Sequence, residues 1–323
     1  MALINRRALL ATATGAALAA PAIAQAWPTR PVRIINPWPP GGPGDRIIRP
    51  IAEIMQTSLG QPVVIENRPG ANGTLGATLV ANAPPDGYML YFAHTGAMTI
   101  SPLVQSRLAY DPIRSFTPIT QILAQGSVLA IRSGLPITTT QELIEYARAR
   151  PGELNLGSIG IASTTHLFGE LLAKRAGVRF THVPYPGAAP LVTDLLAGRV
   201  DFTLLGLPAI APHAEAGKLR ILGITSAKPP RMMPDMPTIN QTLPGFETET
   251  WYGILGPAGL PDEVVVTLHR SLVGAIRSEM ITSLFVRDSY EPVANTPQEF
   301  ADRIRRDLEI YGELVRDLGI RID

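Results

Sequence analysis

The chain has 323 residues, no cysteine, and 28 basic against 27 acidic residues, a formal charge of +1. Without cysteine there are no disulfides, no thiolate chemistry and no Cys-based metal site. A balance this close to neutral argues against nucleic acid or an anionic membrane surface as a partner recruited by charge.

The first 26 residues read as a leader. Arg6 and Arg7 precede a small and apolar stretch from Ala8 to Ala24, and Ala24-Gln25-Ala26 is the small-x-small pattern that a signal peptidase cuts after. Thr12, Thr14, Gly15 and Pro21 interrupt the stretch, which suits a cleaved signal better than a membrane anchor. The paired arginines leave both the general and the twin-arginine export routes open. Losing the leader removes two arginines and no acid, taking the formal charge from +1 to −1. Nothing in 27–323 approaches the roughly 18 apolar residues of a membrane span, so the expectation is a periplasmic chain with no membrane anchor once matured.

Val32–Ile35 reads as a buried strand, and 45–58 as a helix with Ile47, Ile48, Ile51, Ile54 and Met55 on one side. A strand at 63–65, a helix at 74–82 and a strand at 88–93 follow. After a longer crossing segment at 119–131 the pattern resumes, with helix 140–149, strand 154–158, helix 163–176, strand 180–184, helix 188–197, and strands at 200–205 and 219–225. Trp251–Pro257 is a further apolar strand, and helices at 262–277, 279–286 and 297–317 close the chain. Such alternation predicts an α/β architecture of parallel sheets wrapped by helices.

Two series imply two sheets, and the closing helices are expected to return and cover the first. The predicted division is 27–124 plus 247–323 for one domain and 125–246 for the other. Two crossings, near 120–132 and 240–256, then make a two-segment hinge, and a cleft between hinged domains is where a small ligand is enclosed.

The strand-to-helix junctions carry the chemistry. Asn36-Pro37-Trp38-Pro39-Pro40-Gly41-Gly42-Pro43-Gly44-Asp45, Arg68-Pro69-Gly70-Ala71-Asn72-Gly73 and Gly157-Ser158-Ile159-Gly160-Ile161-Ala162-Ser163-Thr164-Thr165 each enter a helix. Glycine there lets backbone amides converge at the positive end of a helix, which suits an anion, although the same glycines also serve plain turn geometry. In open α/β sheets such loops gather at the carboxyl ends of the strands, two from one domain here facing one from the other. Loops offering amides and hydroxyls rather than lysines suit a carboxylate better than a polyphosphate. Asp45 either caps the first helix or meets an ammonium or hydroxyl of the ligand, and Trp38 either walls the pocket or staples its loop.

Enzyme signatures are missing: there is no G-x-x-x-x-G-K-[ST], no G-x-G-x-x-G after a strand, and no H-E-x-x-H. Leu156-Gly157-Ser158-Ile159-Gly160 lacks one glycine of a nucleophile elbow. His166 and Glu170 read as a packed i,i+4 pair, not a metal site. Asp194 and Asp201 read as caps or solvent-facing residues.

Taken in order, these segments resemble the extracytoplasmic solute receptors of the tripartite tricarboxylate transporter system, the Bug family. The resemblance runs over nearly all of 27–323. It rests on Pro37-Trp38-Pro39-Pro40-Gly41-Gly42-x-x-Asp45, Asn67-Arg68-Pro69-Gly70-Ala71-Asn72-Gly73, Pro85-Asp86-Gly87-Tyr88 and Gly157-Ser158-x-Gly160 with Ser163 and His166. His182-Val183-Pro184-Tyr185-x-Gly187, Asp194-Leu195-Leu196-x-Gly198-x-Val200-Asp201 and Trp251-Tyr252-Gly253 continue the series.

The resemblance implies a type II periplasmic-binding-protein fold closing on a carboxylate: a di- or tricarboxylate, an acidic amino acid or an aromatic acid. It also implies membrane permease subunits as partners. Carried over by position, the candidate ligand-binding residues are Trp38, Pro40, Gly41, Gly42, Asp45, Asn72 and Thr95, with Ser158, Gly160, Ser163, Thr164, Tyr185 and Gly187. No cofactor, metal or catalytic residue is expected, and the chain is expected to act as a monomer.

Three departures bear on the ligand. Trp38 stands where the family often has Phe or Tyr, which would narrow the pocket or add a stacking face. Ala162 stands where the family commonly has glycine or a small polar residue, and Met98 falls in a segment that the family keeps more polar. An apolar Met98 near the cleft would favour a hydrophobic or aromatic acid. Two further readings stay open: a sensing module that presents its closed form to a signalling partner, and an exported hydrolase using Ser158 or His166.

Overall fold

The computed structural model describes residues 27–321 apart from Met232; the leader expected at 1–26 lies outside the described residues. The chain opens with β1 (Val32–Asn36), α1 (Pro43–Leu59), β2 (Val63–Asn67), α2 (Thr74–Ala81) and β3 (Met89–His94). These strands lie parallel in the order β2-β1-β3. Helices bury nearly all of β3, and β1 apart from the exposed Arg33, which is why both read as largely apolar runs. The stripe of Ile47, Ile48, Ile51 and Met55 turns α1 onto the sheet, and Gly60 ends the helix in the left-handed region at φ 65°.

A π-helical turn at Gly96–Ile100 runs into the short α3 (Ser101–Val104), and then β4 (Phe116–Arg132) crosses the whole molecule. The second series follows: α4 (Thr140–Ala149), β5 (Asn155–Ser158), α5 (Thr164–Ala176), β6 (Thr181–Pro184), α6 (Ala188–Leu196), β7 (Phe202–Gly206), α7 (Leu207–Glu215) and β8 (Leu219–Ile224). After α8 (Ile239–Thr242), β9 (Glu249–Pro257) returns to the first half. The chain closes with α9 (Asp262–Ile276), α10 (Glu279–Arg287), β10 (Glu291–Pro292) and α11 (Pro297–Leu318).

All strands share one hydrogen-bonded system, β2-β1-β3-β9-β4-β7-β5-β6, with β8 and β10 also on β4. The long β4 makes this possible. Its residues 116–126 pair with β9 and its residues 127–132 pair with β7 and β8, so one strand belongs to two sheets. A second connection runs beside it: Thr225 N donates to Ser127 O at 2.9 Å, and Thr248 N donates to Thr225 O at 3.0 Å. Gly126 sits where these segments touch; a Cβ there would lie 2.8 Å from Ser226 Oγ. The result is two α/β halves joined by two adjacent strand segments.

Four features depart from expectation. The sheets are mixed and not parallel throughout, because β9 runs antiparallel to β3 and β4, and β4 antiparallel to β7 and β8. The helix α7 was not anticipated, because nine residues with Pro208 and Pro212 carry no helical signature. The turn at 96–100 is buried throughout, so no polar face marks its period. The closing helices only partly cover the first half. Leu268 and Leu272 of α9 and Phe285 of α10 do pack with Ile47 and Ile51 of α1. Phe300 and Ile304 of α11 likewise join Tyr91 and Trp251. Tyr311, Leu314 and Val315 instead enter the core of the second half beside Phe168 and Leu172 of α5. At 22 residues, α11 is about 33 Å long and reaches both. Among the described residues no helix is long and apolar enough to cross a membrane.

Candidate functional site

In the first half, the loop between β1 and α1 is organised around one carboxylate. Asp45 Oδ1 accepts from Asn36 Nδ2 at 2.7 Å and Asn67 Nδ2 at 2.8 Å, while Oδ2 accepts from Gly41 N at 2.7 Å and pairs with Arg49 at 3.2 Å. Burial alone would raise the Asp45 pKa, but the hydrogen bonds from Asn67 and Gly41 and the Arg49 guanidinium together hold it below the usual carboxylate range. Asp45 is therefore not a side-chain cap of α1, whose N-cap is Gly42. Its oxygens are occupied by four protein donors that clip the ends of β1 and β2 to the loop.

The loop spends its own amides in the same way. Gly42 N donates to Pro39 O and Asp45 N to Gly42 O, each at 3.1 Å. Trp38 is half-buried, 4.7 Å from His94 and 5.5 Å from both Phe92 and Tyr252 by ring centroids. Gly44 lies directly beneath the indole, where a Cβ would come within 2.5 Å of Trp38 Cε3. Trp38 thus staples the loop with one face, and Pro40 and Gly41 stand exposed beside it.

Asn72 is exposed, at φ 52°, and its Nδ2 donates to Ser101 Oγ at 3.2 Å. Burial takes the His94 pKa down to about 4 despite a backbone hydrogen bond to Asn72, so its ring is neutral at pH 7 and accepts from Gly96 N at 3.1 Å. Thr95 is fully buried and accepts from Trp251 N at 2.8 Å, which ties β3 to β9. Met98 is fully buried as well and lines no cleft, which removes the basis for favouring an aromatic acid.

The second half holds the opposite loop, between β5 and α5. Ser158 is buried, with Oγ donating to Gly160 O at 3.1 Å and accepting from Gly160 N at 3.2 Å. Its remaining contact is 2.6 Å to His182 Nε2, with the donor set by the imidazole tautomer. His182 in turn stacks on His166, rings parallel to 10° and 3.7 Å apart. His166 Nδ1 accepts from Ala162 N at 3.1 Å, and its Nε2 lies 3.7 Å from Glu170, beyond hydrogen-bond distance. Ala162 sits at φ 55°, in the left-handed region that glycine occupies without cost. Ser163 caps α5 by accepting from His166 N at 3.3 Å, and its hydroxyl donates to Gly160 O at 2.7 Å.

Several donors in this half are left over. Among the described residues, the amides of Ile161, Thr164 and Thr165 have no partner, nor has the hydroxyl of the half-buried Thr164. Next door, α6 starts at Gly187 with no side-chain cap, and the amides of Gly187, Ala188 and Ala189 are likewise free. Tyr185 N donates to Ser158 O at 2.9 Å, which holds the two helix starts together. The Tyr185 hydroxyl points away from them, donating to Asp194 at 2.9 Å. Asp194 also pairs with Arg199, whereas Asp201 is buried and accepts from Arg132 and Asn155 rather than facing solvent.

The sequence-predicted residues thus form two groups at the carboxyl ends of the strands in both sheets, with no hydrogen bond or ion pair between the groups among the described residues. The free donors are concentrated in the second half; the first supplies a rigid, aromatic-backed wall. No Lys or Arg lies in either glycine-rich loop, and no cluster of three metal-ligating side chains exists among the described residues. The stacked histidines were not foreseen, because 16 residues and a helix separate them in the chain.

This pair makes the acid response predictable. Burial, then the neighbouring His182, lowers the His166 pKa from 6.5 to about 4. Between those values the unfolded chain binds the proton and the folded one does not. The stability from His166 is complete above pH 6.5, falls as pH drops, and is exhausted near pH 4. The loss is on the order of 3 kcal/mol. Glu170, whose pKa burial raises, works in the opposite direction. His166→Gln, which still accepts from Ala162, should flatten the stability profile across this window; an unchanged slope in urea unfolding would refute the assignment.

The chain matches the family model described as tripartite tricarboxylate transporter family receptor over residues 47–320. It is 31% identical to Protein BugT of Bordetella pertussis over 309 residues, 95% of each chain. Among solved structures it resembles R. palustris Rpa4515 with adipate, at 36% identity and TM-score 0.76, covering 91% of this chain and 99% of that one. It also resembles MatC from Rhodopseudomonas palustris with bound malate, at 29% identity and TM-score 0.72, covering 90% and 100%.

Proposed function

The chain belongs to the tripartite tricarboxylate transporter receptor family, and from that premise we propose that it is an exported, monomeric solute-binding protein that closes on a small carboxylate and delivers it to the membrane subunits of such a transporter. The observation that carries this reading is the set of free amides at the starts of α5 and α6. Two adjacent helix N-termini with the Thr164 hydroxyl offer fixed neutral donors and a positive potential. A carboxylate matches that provision, and charge-assisted hydrogen bonds to it are stronger than neutral ones. The adipate and malate of the two structural relatives are of this chemical class.

Export rests on the leader pattern at 1–26. The division into 27–124 plus 247–323 and 125–246 is supported by the double crossing at β4 and β9. Closure about that hinge would bring the wall formed by Trp38, Pro40, Gly41 and Gly42 onto an anion held by the Thr164 hydroxyl and the amides of Ile161, Thr164, Thr165 and Gly187. This reading assigns no catalytic step: Ser158 is buried beneath the Gly160 turn, and no carboxylate pairs with His182 among the described residues. Calorimetric titration with dicarboxylates of increasing length tests it. One or more should bind, and be recovered unchanged, with a raised melting temperature of about 2.7 kcal/mol in stability at a hundredfold excess over Kd. If phosphates or sugars bind and no carboxylate does, the reading fails.

A further inference from the structure

On the hinge, one guanidinium serves two carboxylates, the buried Asp307 and the half-buried Glu249. Arg303 of α11 donates through Nε to Asp307 at 3.0 Å and through Nη1 to Glu249 at 3.2 Å. Trp251 Nε1 adds a neutral donor to Asp307 at 2.7 Å. Among the described residues no other cation pairs with either acid, so the cluster has one positive charge for two negative ones. Burial pushes the pKa of both carboxyls up, as expected where an anion is under-compensated.

Glu249 also lines a cavity of about 450 Å³ between the loop after β8 and the segment that joins α10 to β10. This volume is typical of a small-molecule site. Its walls include Ile224, Pro229, Pro230, Val286 and Tyr290. Two cations stand on it. Arg231 is committed to Glu291 at 3.0 Å, whereas Lys228 is exposed and has no ion pair among the described residues. The cavity therefore combines a carboxylate short of a positive charge, an ammonium without a counterion, and an apolar wall. It shares no residue with the carboxylate loops.

We propose that this cavity is a second binding site, for a small zwitterion of the aliphatic α-amino acid class. The ligand's ammonium pairs with Glu249, its carboxylate with Lys228, and its side chain lies on Pro229, Pro230 and the Tyr290 ring. The flexible lysine stem lets one short zwitterion satisfy both partners.

Calorimetric titration of the whole protein with leucine, isoamylamine and isocaproate tests this, since the last two keep the side chain and only one charge each. Leucine should bind, and each half-analogue should bind about tenfold more weakly or worse. Lys228→Glu should weaken leucine by about tenfold or more without shifting the melting temperature of the unliganded protein. Isocaproate matching leucine would make this a plain anion site, and isoamylamine matching it a plain cation site; either overturns the zwitterion. Displacement of leucine by a cleft-bound dicarboxylate, or no binding of leucine, removes the second site and leaves the carboxylate reading untouched.

Discussion

Asp45→Ala is expected to lower the unfolding free energy by about 3 kcal/mol and to weaken carboxylate binding by about tenfold or more. The substitution deletes the acceptor for Asn36, Asn67 and the Gly41 amide together, leaving the fully buried Asn36 amide without this partner. The loop that carries Trp38 then loses its attachment to the ends of β1 and β2. Asp45→Asn should fall between, because it keeps the shape but turns one acceptor into a donor facing other donors. The sign with pH follows from the depressed pKa. The contribution is present above the usual carboxylate range and disappears as pH falls through the lower folded value. The wild type should therefore lose stability in strong acid that the alanine variant has already lost. Urea unfolding at several pH values reads both effects; equal stability of the two proteins at pH 7 would show that the loop is held by other means.

Asp307→Ala should cost about 3–5 kcal/mol, the range for removing one partner of a buried charged pair. Asp307 receives both Arg303 and the Trp251 indole, so the variant leaves a guanidinium and an indole N–H without this acceptor beneath β9. Asp307→Asn should be milder, because its amide oxygen can still accept from Trp251. Since α11 lies in the cores of both halves, the loss should appear as a single shifted unfolding transition. Two separate transitions in calorimetry would show that α11 does not tie the halves together.

Most of the fold was legible because its helices and strands obey local rules. The isoleucine stripe places α1 within two residues of its observed bounds, and the stretches read at 140–149 and 297–317 match α4 and α11 to within one residue. What stayed hidden depended on partners distant in the chain. The periodicity of α11 shows an apolar stripe, not that its two ends serve different cores. Asp45 stands where caps stand, and only the meeting of β1 and β2 turns it into an acceptor for both asparagines. Glycine-rich loops announce backbone donors without showing which are already used. Gly41 and Gly42 spend theirs internally, whereas the starts of α5 and α6 do not.

The strand order also dictates when each half can form. The second half, 127–225, is one unbroken stretch apart from its late contacts with α8 and α11, and its strands can pair as soon as they are made. The first half cannot do so, because β9 must enter between β3 and β4, more than 150 residues after β3 has appeared. Until then β3 presents an unpaired and largely apolar edge, the kind of surface that misassembles in a partly made chain. For a polypeptide threaded amino end first through a membrane, the order of maturation is then reversed relative to the order of emergence. The segment that emerges first is the last to reach its final form, and assembly of the cleft waits for the carboxyl-terminal quarter of the molecule.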